Sequence, residues 1–300
     1  MAYSFTCPFS IIASHEILIR GFHGRNTVKL NLPLEIDSPL GIVGTTLTIS
    51  KKGNDEYSFL VISETLSTEE LQTSFLEKIT ACISLRLGLE EANPHYGTLF
   101  VKPKWHQLEN ISVTPNGLML SDSLSLKSVL TLDISEEHFF PLTHPDLLNF
   151  YYDGLRAEHL KSKYFHFFLV LEYLESSQKY RSLFGSSKLF DTAETERIEQ
   201  LASQMKSTKK DAILKLLLRT KDSREAKLLA IIQSFGIISI TVLGQTKDVD
   251  LTMIKNITKN RNKLFHSGAN FSADALWGEL FQLATLVVAH ISRNPECLDV

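Results

Sequence analysis

The sequence predicts an α+β chain: a β-rich N-terminal domain carrying one helix, residues 1–144, followed by an all-α domain, residues 145–300. Three observations predict it. Up to a proline-bracketed connector at residues 139–145, apolar residues fall in short runs rich in branched and aromatic side chains, separated by Gly, Pro, Asn or Asp. Beyond the connector the apolar period becomes helical almost throughout. The charge changes as well. Residues 1–144 hold 10 Lys and Arg against 16 Asp and Glu, whereas residues 145–300 hold 21 against 18. A polyanion would prefer the second half.

In chain order, strands are expected at residues 17–19, 27–32, 44–49 and 57–62. Residues 111–114 and 118–120 flank Pro115-Asn116-Gly117, whose Asn and Gly accept positive φ, so a hairpin is expected there. One helix interrupts the strands. Ser67-Thr68-Glu69-Glu70 has capping-box spacing; Leu71, Phe75, Ile79, Ile83 and Leu87 then recur at helical spacing, and Gly88 supplies a stop. In the second half, helices are expected at residues 146–160, 161–184, 193–205, 209–220, 223–235, 248–266 and 272–293. Residues 237–243, Ile-Ile-Ser-Ile-Thr-Val-Leu, read as strand by propensity inside helical territory.

Several function classes are disfavoured. No run of 18 apolar residues is uninterrupted, and Pro8, Ser10, His15 and Glu16 break any signal-peptide core, so a cytoplasmic protein without a membrane span is expected. Cys7, Cys82 and Cys297 are odd in number and far apart, which fits reduced thiols rather than disulfides or a zinc site. A net charge of −3 argues against non-specific coating of nucleic acid. Gly41-Ile42-Val43-Gly44 lacks the lysine and following helix of a phosphate-binding loop. No cofactor and no metal are expected.

The chemistry-bearing segment is Arg261-Asn262-Lys263-Leu264-Phe265-His266, at the close of an expected helix whose apolar face is Ile254, Ile257, Leu264 and Phe265. At ~100° per residue Asn262 and His266 share a face and Arg261 sits at its edge. An imidazole with a pKa near neutrality can move the protons of phosphodiester cleavage. A guanidinium can clamp the phosphate, and an amide can orient either group. Lys255, Lys259 and Lys263 surround them as candidate RNA contacts, and no Asp or Glu occurs between Leu251 and Ala273.

Arg261-Asn262 and His266 match the R-x-x-x-x-H motif of HEPN ribonucleases, and the sequence resembles that family in the motif's place before a final apolar helix. The segment from Tyr164 to Glu175 is similar to the aromatic, acid-ended helix of Apea-like and MauJ-like HEPN proteins. The resemblance implies a HEPN-like helical bundle over residues 146–293. It further implies a metal-independent homodimeric endoribonuclease that cuts by 2′-hydroxyl attack, with His266 as acid/base, Arg261 as phosphate clamp and Asn262 as orienting amide. Toxin or abortive-infection (anti-phage) effectors are common in the family, which implies an antitoxin or defence-system partner, here assigned to the N-terminal domain. Inactive members also occur, so a non-catalytic scaffold is the alternative. Glu172 follows Phe168 by one turn and is a candidate support for Arg261; Phe165, Phe168 and Leu169 are expected as that helix's core stripe, with Tyr164 and Phe167 widening it into a dimer face. Lys206, Lys209 and Lys210 are lesser RNA candidates, while His166 and His290 read as packed.

Overall fold

The computed structural model describes residues 3–13, 27–51, 56–67, 70, 74–89, 99–103, 129–132, 134–135, 138–139, 143–184, 189–217, 221–242, 245–267 and 273–299. The expected strand at 17–19 and the hairpin around Asn116 lie outside the described residues.

An antiparallel sheet occupies the first half, with strands β1 (Tyr3–Ala13), β3 (Leu34–Asp37), β4 (Thr45–Lys51), β5 (Tyr57–Ser63) and β6 (Leu99–Pro103) in the order β3-β4-β5-β1-β6. β4 alternates in burial: Thr45, Leu47 and Ile49 face the core and Thr46, Thr48 and Ser50 do not, as a half-covered strand requires. β2 (Thr27–Leu30) and β7 (Val129–Leu132) form a separate parallel pair. β1 is an eleven-residue strand at a place the sequence did not suggest. Pro8 lies inside it, one residue before the β6 ladder begins at Phe9, so the proline sits where β1 gains its second neighbour.

Helix α1 (Leu76–Gly88) packs against β6. Upstream of it the capping box is formed: Ser67 N–H donates to Glu70 Oε2 at 2.9 Å and Glu70 N–H to Ser67 Oγ at 3.2 Å. Among the described residues, the outer side of the edge strand β6 is met by side chains rather than by another strand. Val101 N–H donates to Ser84 Oγ (3.0 Å), and Val101 C=O accepts from Tyr152 Oη (2.8 Å). Tyr152 belongs to α2 (Pro145–Arg156), so this strand is tied to helices on both sides of residue 144. Arg156 reaches Glu77 of α1 at 3.2 Å, and one continuous apolar core runs through both halves.

The second half is mostly helical: α3 (Leu160–Ser176), α4 (Gln178–Phe184), α5 (Thr192–Ser203), α6 (Ser207–Leu217), α7 (Arg224–Ser234), α8 (Leu251–Ser267) and α9 (Ala273–Arg293), the last with a π-helical turn at Leu276–Leu280. The expected helix at 161–184 is two helices. Ser177 is extended (φ −67°, ψ 154°), and its hydroxyl donates to Leu174 C=O while accepting from Tyr180 N–H, which ends one helix and starts the next. The ambiguous segment at 237–243 contributes β8 (Ser239–Val242), paired with β9 (Gln245–Asp248). Helix α8 therefore starts later than expected, with Asp250 Oδ1 accepting from Met253 N–H at 2.7 Å.

α3 is the central helix. Tyr164, Phe167, Phe168, Val170, Leu171 and Leu174 are all fully buried. The expectation that Tyr164 and Phe167 widen the helix into a dimer face is thus overturned: both are core, and Phe165 and Leu169 are the half-buried ones. Phe167 needs close approach of α2, which Gly154 permits; a Cβ there would lie 2.7 Å from Phe167 Cε1. Among the described residues one helix, α9, is long and apolar enough to cross a membrane, with mean hydropathy 1.3, and 67% of that stretch is buried within the fold. Cys7 and Cys82 lie buried in the core, and Cys297 is half-buried.

Candidate functional site

Helix α8 carries the R-x-x-x-x-H segment. Met253, Ile254 and Ile257 are buried, and Lys255, Asn256, Lys259, Asn262 and Lys263 form the exposed face. The helix is pinned to α3 by Tyr164, whose hydroxyl donates to Ile257 C=O at 2.8 Å. In an α-helix that carbonyl also accepts from the amide four residues on, which is Arg261's own. The anchor thus fixes the backbone from which the arginine projects.

Arg261 is half-buried, with 26% of its side chain exposed. Its Nη2 donates to Glu172 Oε1 at 2.9 Å and its Nη1 to Asn262 Oδ1 at 3.3 Å. The guanidinium lies over the rings of Phe168 (5.6 Å) and Phe265 (4.7 Å). Its Nε is buried and, among the described residues, has no hydrogen-bond partner. Among the candidate residues, then, Arg261, Asn262 and Glu172 are in direct contact. His266 is in the last turn of the same helix; its side chain lies outside the described residues.

Phe265 departs from expectation. Rather than joining the apolar face of α8 it is 52% exposed, and the half-buried Phe165 contacts it edge-on at 5.3 Å. An exposed aromatic therefore stands between the arginine and the histidine in sequence and beside the arginine in space.

Sequence reasoning missed one residue outright. Arg224, the first residue of α7, donates from Nη2 to Glu172 Oε1 (3.1 Å) and from Nε to Glu175 Oε1 (2.6 Å), and its guanidinium lies 5.7 Å from the Phe168 ring. Burial acts to lower the pKa of Arg224, and the Glu175 and Glu172 carboxylates outweigh it, so the net direction is upward. A signal existed. Glu172 and Glu175 are three apart on one face of α3, and two adjacent carboxylates there call for two cations. Arg224, Arg261, Glu172 and Glu175 together carry no net charge.

The remaining candidates lie apart from this cluster or are ordinary surface. Lys209 and Lys210 are exposed on α6, and Lys206 is exposed in the turn before it. His166 is half-buried against Phe165, its Nδ1 without a hydrogen-bond partner among the described residues. His290 stacks on Phe235 at 4.9 Å, and its pKa is lowered by burial and by Lys179. Among the described residues no three His, Cys, Asp or Glu side chains are grouped as metal ligands would be. Compared with protein-family models, curated proteins and solved structures, the chain matches none.

Proposed function

We propose that this chain is a metal-independent endoribonuclease of the HEPN type, working as a homodimer in the cytoplasm. The observation that carries the reading is the setting of Arg261: a guanidinium at the end of α8, held by Glu172 and Asn262, on a helix whose outer face is Lys255, Lys259 and Lys263. His266 closes the same helix. In this reading Arg261 grips a phosphodiester through paired donors, and the lysines hold the flanking backbone. His266 accepts the ribose 2′-hydroxyl proton as the O2′–P bond forms and the P–O5′ bond breaks. The departing 5′ oxygen is protonated by the second protomer's histidine, leaving a 2′,3′-cyclic phosphate. The N-terminal sheet receives the trigger or protein partner, and the biological role is that of a toxin or anti-phage effector.

A second reading is favoured by one observation. Arg261 is already neutralised by a carboxylate at 2.9 Å, as it would be in a HEPN-fold scaffold that cuts nothing. Incubating the full chain with RNA in EDTA, beside His266→Ala and Arg261→Ala, separates the two. The nuclease reading expects cleavage by the wild type alone, ending in cyclic phosphate; intact RNA in all three lanes leaves the scaffold reading.

A further inference from the structure

The carboxylate of Glu172 has two owners. Its Oε1 accepts from Arg261 at 2.9 Å and from Arg224 at 3.1 Å, and both guanidiniums lie over the same Phe168 ring. We propose that Arg224 is a positioning residue that governs Arg261 through Glu172, drawing the carboxylate away when a phosphate group arrives. The inference rests on the reading of Arg261 as the phosphate clamp.

The physical case runs from the competition for one guanidinium. A phosphate approaching Arg261 meets a carboxylate already on its Nη2, and two anions on one cation repel. Glu172 needs another partner to turn to, and Arg224 is already bonded to the same oxygen, so a rotation of the Glu172 side chain completes the exchange. Arg224 does not follow the carboxylate toward Arg261, because Glu175 anchors its Nε at 2.6 Å. Arg261 in turn has a donor in reserve: its Nε is buried and, among the described residues, without a hydrogen-bond partner, a costly state that a phosphate oxygen would relieve once the side chain turns to meet it. The cluster thus rests self-neutralised and opens to an anion with no backbone rearrangement.

Without Arg224, Glu172 has Arg261 alone, and the clamp stays occupied. The test is binding of a fluorescein-labelled single-stranded RNA to the full chain on a His266→Ala background, measured by anisotropy across a salt series, with circular dichroism to verify folding. Adding Arg224→Ala should weaken binding about tenfold and flatten the log K against log salt slope by about 0.7, the loss of one phosphate contact on a single strand. Adding Glu172→Gln to that variant should restore both, since an amide cannot compete as an anion. Arg224→Lys should retain most of the affinity. Glu172→Gln alone should tighten binding, which keeps the test sharp even if Arg224→Ala fails to fold.

Unchanged binding in Arg224→Ala overturns the inference. So does a loss that Glu172→Gln does not repair, because Arg224 would then be touching RNA itself. Absence of any RNA binding by the His266→Ala background removes the clamp reading and this inference with it. Intact binding with a silent Arg224 removes only the inference.

Discussion

Replacing Lys163 with methionine should change how stability depends on pH. Lys163 is 1% exposed in the core of α3; its Nζ donates to Leu155 C=O at 2.7 Å, an end-of-helix carbonyl of α2, and lies 5.9 Å from the Trp277 ring. Burial pulls its ammonium down from 10.5 to about 8. The unfolded chain keeps that proton until about pH 10.5, while the folded chain gives it up near pH 8. In that window the unfolded state binds more protons, so stability rises with pH and levels off above it. A separation of about 2.5 in pKa, at about 1.4 kcal/mol for each, makes the full effect about 3 kcal/mol. Urea unfolding followed by circular dichroism, repeated between about pH 7 and pH 10, should show the wild type gaining about 2–3 kcal/mol relative to Lys163→Met. Other titrating groups cancel in that difference. If the two pH profiles run parallel, the buried ammonium is not what the core geometry says it is.

Two further outcomes test the packing that presents the site. Tyr164→Phe removes the hydroxyl that pins α8 to α3 and leaves the Ile257 carbonyl with one fewer donor; a loss of about 1 kcal/mol is expected in the same urea experiment. Gly154→Ala places a methyl 2.7 Å from the fully buried Phe167 ring. The overpacking, about 1–3 kcal/mol, should exceed the gain of about 1 kcal/mol from helix propensity, so a raised melting temperature would refute the contact.

The helical half was largely legible because long amphipathic helices repeat their signal many times, as α8 and α9 do. What escaped was decided by single residues or by distant partners. Ser177 splits α3 from α4 with one hydroxyl, which no period reveals. β9 is exposed at every position and is a strand only because β8 pairs with it. β1 was obscured by Pro8, a residue that normally argues against a strand. At the site, the motif pointed to Arg261, and a one-turn argument pointed to Glu172. Arg224 was invisible because it arrives from 52 residues away in sequence, joined to Glu172 only by the fold.

The closure of the sheet's last strand bears on how the chain can be divided. Severed after residue 144, the helical half would strand the Tyr152 hydroxyl without its Val101 acceptor and Arg156 without Glu77. It would also lay bare the α2 surface that α1 covers. The piece carrying the motif is therefore not a detachable blade with a sensor hung beside it. Any displacement of β6 would be felt at the backbone carbonyl of Val101, and through the Tyr152 hydroxyl by the helix that Gly154 seats against α3.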